Sequence, residues 1–275
     1  MMKILRQGTL AAALVAGTLA GGAALAAESD GTAWSDIRGS LFGDTAMKDD
    51  GLIAIEAPYR AEDAAIVPVT IRTDVPQGDP RHVAKITLVI DENPAPVAAT
   101  FTLGEGANVT AIATRVRINA YTPVHVVAEL SDGSLHVAET YVKASGGCAA
   151  PMAKDQDVAD ANIGKMKMRW FGRPLTDIDA TPDPIHATAQ LMIRHPNNSG
   201  LQMDQVTRFY IPAHFVSNVT IRQGNALVLT MEGGISISED PNFRFAFVSN
   251  GEPLVVEATD TEGNDFGQTF PVPGS

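Results

Sequence analysis

From Ile53 to near its C-terminus the chain reads as short runs of β-branched and aromatic residues, each closed by a cluster of Gly, Pro, Asp or Asn. Ile66 to Arg72 and Lys85 to Asp91 are two such runs, and β-branched side chains fit a pleated, half-buried surface. Val124, Val126, Ala128 and Leu130 alternate with His125, Val127 and Glu129. Ser131-Asp132-Gly133-Ser134 then turns the chain into Leu135 to Val142, which is a hairpin signal. The pattern resumes at Ala187 to Arg194, at Asn218 to Arg222 with the turn Gln223-Gly224-Asn225, and at Ala226 to Met231. Phe243, Phe245 and Phe247 share one face, and Leu254 and Val256 continue on the next strand. Helical spacing is confined to Trp34, Ile37 and Leu41, which predict one short amphipathic helix. Many short strands with so little helix predict an all-β chain of two immunoglobulin-like β-sandwich domains after that helix. A single cysteine rules out the inter-sheet disulfide of antibody domains.

Residues 1 to 27 have the make-up of a cleaved signal peptide. Lys3 and Arg6 precede a small-residue apolar stretch, Leu10 to Ala24, and small-x-small cleavage patterns follow at Ala24 to Ala27. The alternative is an uncleaved anchor, but the stretch is broken by Gly17, Thr18, Gly21 and Gly22, and no later segment reaches bilayer-spanning length. The expected mature chain is therefore exported, periplasmic and without a membrane segment. The whole chain carries a formal charge of -12, and loss of Lys3 and Arg6 makes it more acidic. Such a surface repels nucleic acid and anionic lipid.

The one cysteine, Cys148, lies in Ser145-Gly146-Gly147-Cys148-Ala149-Ala150-Pro151, a stretch without apolar periodicity. Small flanking residues predict a thiol that is exposed on a movable arm, with Gly146, Gly147, Ala149 and Ala150 as the flexible flanks. An exported thiol without a disulfide partner calls for a chemical role, the alternative being an incidental surface thiol. A thiolate is both nucleophile and leaving group, so it can take up a cargo and release it.

No other motif points to catalysis. The histidines at 82, 125, 136, 186, 195 and 214 form no H-x-x-x-H or H-E-x-x-H pair, and no second cysteine completes a thiolate site, so no metal or cofactor is expected. His125 and His136 sit on the two arms of the predicted hairpin, as a cross-strand polar pair on its solvated side. There is no G-x-S-x-G elbow or phosphate loop. A papain-like Cys–His enzyme would need a rigidly held nucleophile. No catalytic residue is assigned, and an autonomous cysteine enzyme is the weakest reading.

A family resemblance rests on specific stretches. Ala57-Pro58 through Val67-Pro68-Val69, Ile86 to Pro96, Arg115-Val116-Arg117, Glu129 to Gly133 and Val142-Lys143 leading to Gly146-Gly147-Cys148 resemble SoxY, the periplasmic sulfur-compound carrier of thiosulfate oxidation. His195-Pro196 through Leu201, Tyr210 to Phe215, Pro241 to Phe247 and Asp260 to Gly263 resemble its partner SoxZ. In order and extent the chain looks like a fused SoxYZ-like carrier of the kind associated with quinoprotein dehydrogenases.

The resemblance implies a SoxY-like domain over 28–148, a linker over 149–164 and a SoxZ-like domain over 165–275. It implies that Cys148 is the covalent attachment site. The implied partners are a c-type cytochrome and Sox-type enzymes or a quinoprotein dehydrogenase, with the two domains pairing inside one chain. The alternative function is an accessory or assembly protein for a PQQ dehydrogenase and its cytochrome, without covalent chemistry. One departure stands out: Ala149-Ala150-Pro151 replaces the free Gly-Gly end of the family's arm, so the arm here is internal.

Overall fold

The computed structural model describes residues 32–151, 162–171 and 186–272. The predicted signal peptide and positions 152–161 of the predicted linker lie outside the described residues. The fold is all-β with one helix, as the patterns require. Helix α1 (Thr32–Phe42) precedes strands β1 (Met47–Lys48), β2 (Ile53–Glu56), β3 (Val67–Thr73), β4 (Val83–Ile90), β5 (Val97–Leu103), β6 (Ala111–Val116), β7 (Thr122–Leu130) and β8 (Leu135–Val142). The second half adds β9 (Met166–Phe171), β10 (His186–Ile193), β11 (Val216–Gln223), β12 (Ala226–Gly233), β13 (Asn242–Val248), β14 (Leu254–Asp260) and β15 (Asp265–Phe270). Among the described residues no helix is long and apolar enough to cross a membrane.

The two halves are joined more intimately than a linker between sandwiches implies. One sheet runs β1-β8-β7-β4-β5-β12-β11-β14-β15 and the facing sheet runs β2-β3-β6-β13-β10-β9, so both sheets continue across the halves. The seams are antiparallel ladders, β5 on β12 with Phe101 opposite Met231, and β6 on β13 with Ile112 opposite Phe245. An exposed strand edge leaves a row of unpaired N–H and C=O groups, and here four such edges cover one another. At the first seam Gly104 donates its N–H to Val228, and a Cβ at Gly104 would lie 1.7 Å from the carbonyl oxygen of Leu227. Only glycine allows that approach.

The core lies between the sheets and is continuous through both halves. Phe243, Phe245 and Phe247 are all fully buried from β13, and Phe243 meets Phe101 of β5 edge-on at 6.2 Å. That contact links the two sheets and the two halves at once.

Helix α1 forms where expected but buries none of its residues, and Leu41 faces solvent. Its anchor is Trp34, which stacks on the His125 ring at 3.8 Å with the planes 5° apart. The expected His125–His136 pair does not occur, because the hairpin register sets His125 opposite Glu139 and His136 opposite Ala128. Both histidines are buried rather than solvated, each against a carboxylate. His125 contacts Asp91 at 3.0 Å and Glu139 at 3.1 Å, and His136 contacts Asp50 at 2.8 Å.

Candidate functional site at the seam between the halves

The arm leaves β8 and crosses the loop that follows β6. Lys143 is first paired to Arg60 in a parallel bridge. Gly146 then donates to Asn119 at 2.8 Å and Gly147 donates to Ile118 at 2.9 Å. Gly146 sits at φ 79°, the left-handed region that favours glycine, and it swings the chain down onto that loop. Gly147 serves a different purpose: a Cβ there would fall 2.0 Å from the Ala64 carbonyl oxygen and 2.7 Å from that of Ile118.

Cys148 is consequently fully buried, with no exposed surface, which corrects the expectation of an exposed thiol. The physical reason lies in the same small residues. Glycine can loosen a backbone in water, but it also lets one backbone lie directly on another, and here the second effect decides the geometry. Gly147 is buried with the thiol, whereas Gly146 and Ala149 are exposed and Ala150 is partly so. Ala149 closes a turn back to the Gly146 carbonyl at 3.2 Å.

The second half of the chain supplies the other wall. The Ser199 hydroxyl donates a short hydrogen bond to the Cys148 carbonyl oxygen, and the Gln202 side chain donates to Ala150 at 3.1 Å. Gln202 also accepts from the Ser199 N–H at 2.9 Å, so the two clamp residues fix each other. Beneath them lies Arg117, which donates to the carbonyl oxygens of Gly147 at 3.4 Å and of Asn197 at 3.1 Å. Asn93 holds this floor in place: its amide nitrogen donates to the Arg117 carbonyl and to Ser236, and its oxygen accepts from the Asn119 N–H.

Burial pushes the Cys148 thiol pKa up, and the positive charge of Arg117 opposes that only in part. The docked sulfur is therefore held as the neutral thiol, the weak nucleophile of the pair. A thiol in this state is shielded from oxidants as well as from partners.

A second cluster, not visible in the sequence spacing, lies beyond Asn197. His195, His214 and Asp260 bring three potential ligand atoms within 4.8 Å of one another. Their hydrogen bonds already occupy those atoms. His195 Nδ1 accepts from the Asn197 N–H at 3.0 Å, which leaves the proton on Nε2, facing Asp260 Oδ2 at 3.4 Å. Asp260 also accepts from His214 at 2.8 Å, from the Asn264 side chain and from the backbone of Glu262 and Asn264. Burial raises the Asp260 pKa, but these donors outweigh it and hold the carboxyl well below its usual range. The cluster acts as a brace for the turn after β14 and for the loop that carries Asn197 and Ser199. In the sequence, His195 and Asp260 stand only as parts of the separate stretches that resemble SoxZ, His195-Pro196 through Leu201 and Asp260 to Gly263.

The sulfur oxidation protein SoxY family model matches residues 38–148, ending on the cysteine, and the SoxZ model matches residues 179–271. Among solved structures, the sulfur carrier protein SoxY from Chlorobium limicola f thiosulfatophilum is 26% identical, covering 41% of this chain and 96% of its own, with a TM-score of 0.35. Superoxide reductase (neelaredoxin) from Ignicoccus hospitalis is 14% identical over 33% of this chain and 77% of its own, with a TM-score of 0.30. A Thermotoga maritima protein described as a putative superoxide reductase, also 14% identical, is matched over 37% of this chain and 95% of its own at a TM-score of 0.32. No curated protein matches the chain.

Proposed function

Because the chain belongs to the sulfur oxidation proteins, joining a SoxY domain and a SoxZ domain in one polypeptide, we propose that it is a periplasmic carrier holding a sulfur-compound intermediate on Cys148. It presents that intermediate to partner enzymes and does no catalysis of its own. The observation that carries this reading is the position of Cys148: it is the last residue of the SoxY match and the chain's only thiol. It also sits on a segment clamped by few bonds at the seam.

A fully buried thiol must come out to react, and the energetics allow it. Five hydrogen bonds, from Gly146, Gly147, Ser199, Gln202 and Arg117, hold the segment. Each contributes about 1 kcal/mol net. Releasing a handful of residues returns about 1–2 kcal/mol of backbone entropy apiece, which is of the same size. Opening is then a local event that leaves both sheets intact. The docked arm is the resting state and the released arm is the reactive one.

In thiosulfate-type loading, the Cys148 thiolate and thiosulfate join through an S–S bond with loss of two electrons, which a c-type cytochrome accepts. The internal position of the arm means that it enters a partner as a loop, with Ala149, Ala150 and Pro151 following the thiol.

Burial of the thiol also favours a second reading, an accessory protein for a PQQ dehydrogenase and its cytochrome in which Cys148 does no chemistry. A host strain carrying Cys148→Ala separates the two. Loss of sulfur-compound oxidation, with normal protein level, supports the carrier; full activity supports the accessory role.

A further inference from the structure

Cations gather on the six-stranded sheet, against the sign of the chain as a whole. Its neighbouring strands β6, β13, β10 and β9 contain no Asp or Glu, yet they carry Arg115, Arg244, Lys167 and Arg169 in a chain of formal charge -12. Alternation puts Lys167, Arg169 and Phe171 on one side of β9. The register sets Arg169 opposite Gln190 and Gln190 opposite Arg244, so the two arginines stand in one row with an uncharged residue between them. Both reach the same ring: Cζ of Arg244 lies 3.8 Å from the Phe171 centroid and Cζ of Arg169 lies 4.9 Å from it. The ring attracts each cation but does nothing for the repulsion between them. Arg115 is engaged elsewhere, donating to the Asp240 carbonyl oxygen at 3.0 Å. Among the described residues neither Arg169 nor Arg244 forms an ion pair, and the buried Nε of Arg244 has no acceptor. Burial and the charge of Arg169 lower the Arg244 pKa, with no carboxylate to counter them. Guanidinium groups stay protonated in proteins all the same, so two like charges share this site without an anion.

We propose that Arg169 and Arg244 form a site, beside Phe171 on the outer face of the sheet, for a divalent tetrahedral oxyanion of the sulfate and thiosulfate class. The planar forks of the two guanidinium groups match the spacing of such oxygens, and the bonds they make are charge-assisted. A dianion cancels both charges, whereas a monovalent ion cancels one. Lys167, on the same side of the same strand, adds to the positive field. The site also has a structural consequence. β9 is an edge strand paired only with β10, and an anion held by Arg169 of β9 and Arg244 of β13 ties that edge across β10 to the body of the sheet. The site does not use Cys148 and stands apart from the carrier reading.

The test titrates the full chain, isotope-labelled for NMR, with sodium sulfate and with sodium thiosulfate, ionic strength being held constant with sodium chloride. The Nε–H signals of Arg169 and Arg244 and the side-chain amide of Gln190 should shift and saturate with both dianions, and should not saturate with sodium acetate. Arg169 is exposed, so its replacement leaves the core intact. Arg169→Gln should weaken binding about tenfold, the effect of losing hydrogen bonds to a charged group. Sulfate raises the thermal midpoint of proteins in general, gradually and without saturation. The wild type should show a saturating rise on top of that, and Arg169→Gln should not. Arg169→Glu gives a reading that needs no ligand: its carboxylate takes the anion's place beside Arg244, so the thermal midpoint should rise in chloride alone and the saturable response to sulfate should vanish. Shifts that never saturate, or that acetate or Arg169→Gln reproduces in full, overturn the site. A lower midpoint for Arg169→Glu than for the wild type in chloride overturns the uncompensated charge on which it rests.

Discussion

The hydroxyl of Ser199, in the second half of the chain, donates to the carbonyl oxygen of Cys148, in the first. The SoxZ half thus holds the backbone of the residue that bears the thiol in the SoxY half. Ser199→Ala removes the donor from a buried carbonyl, a change of about 1 kcal/mol. The alkylation rate of Cys148 by iodoacetamide should rise about fivefold, with the thermal midpoint nearly unchanged. An unchanged rate would show that the clamp does not gate the thiol.

Gly147 is the tighter constraint. Its alanine variant places a methyl group 2.0 Å from the Ala64 carbonyl oxygen, a distance no packing adjustment of a side chain can relieve. Gly147→Ala should release the arm and speed alkylation at least tenfold while circular dichroism stays that of the wild type. Slow alkylation in a folded variant would mean that the thiol is held by something other than this backbone contact.

The pH dependence of the thiol follows from its raised pKa. A group whose docked pKa lies above its free value stabilises the docked state below that free value, about 8.5 for a thiol, and this contribution is lost as pH rises through the docked pKa. The wild-type alkylation profile should therefore inflect above the ordinary thiol value. That of Gly147→Ala should return to it. Coincident profiles would contradict the docked thiol's neutrality.

Acid should act on the brace rather than on the arm. Burial and the charge of His214 lower the His195 pKa, against the opposing pull of Asp260. The folded state thus takes up its proton less readily than the unfolded chain. Stability contributed by neutral His195 is full above about 6.5 and falls as pH drops through its depressed folded value. Asp260→Asn leaves His214 and His195 without their buried acceptor charge and should cost about 2–4 kcal/mol. Urea unfolding at pH 7.5 and pH 5.5 checks both: the wild type should lose stability at the lower pH, and His195→Gln should flatten that loss.

Much of this fold was legible because alternation reports which face of a strand is buried. Phe243, Phe245 and Phe247 were placed on one face by their period, and all three are core. Alternation carries no information on edges, so the β5–β12 and β6–β13 ladders, which make the halves one body, left no mark in either sequence half. The hairpin of β7 and β8 was placed correctly, yet its histidines were misjudged, because buried Asp91 and the Trp34 ring come from distant segments. Cys148 itself stands out by composition and by the expected export. Its burial does not, since Gly-Gly is equally the signature of a loose arm and of a backbone that must lie flat on another. Arg117 and Ser199 fall inside stretches that carry the family resemblance, but neither they nor Gln202 gave a chemical signal, being ordinary residues brought to the thiol by the seam.

The central claim is that Cys148 carries cargo covalently, and intact mass spectrometry of the chain purified under non-reducing conditions from its native host, actively oxidising a reduced sulfur compound, tests it most directly. The account predicts a mass increment of added sulfur or sulfur oxyanion, located on Cys148 and removed by reductant. A chain that carries only the bare thiol throughout active oxidation would contradict it.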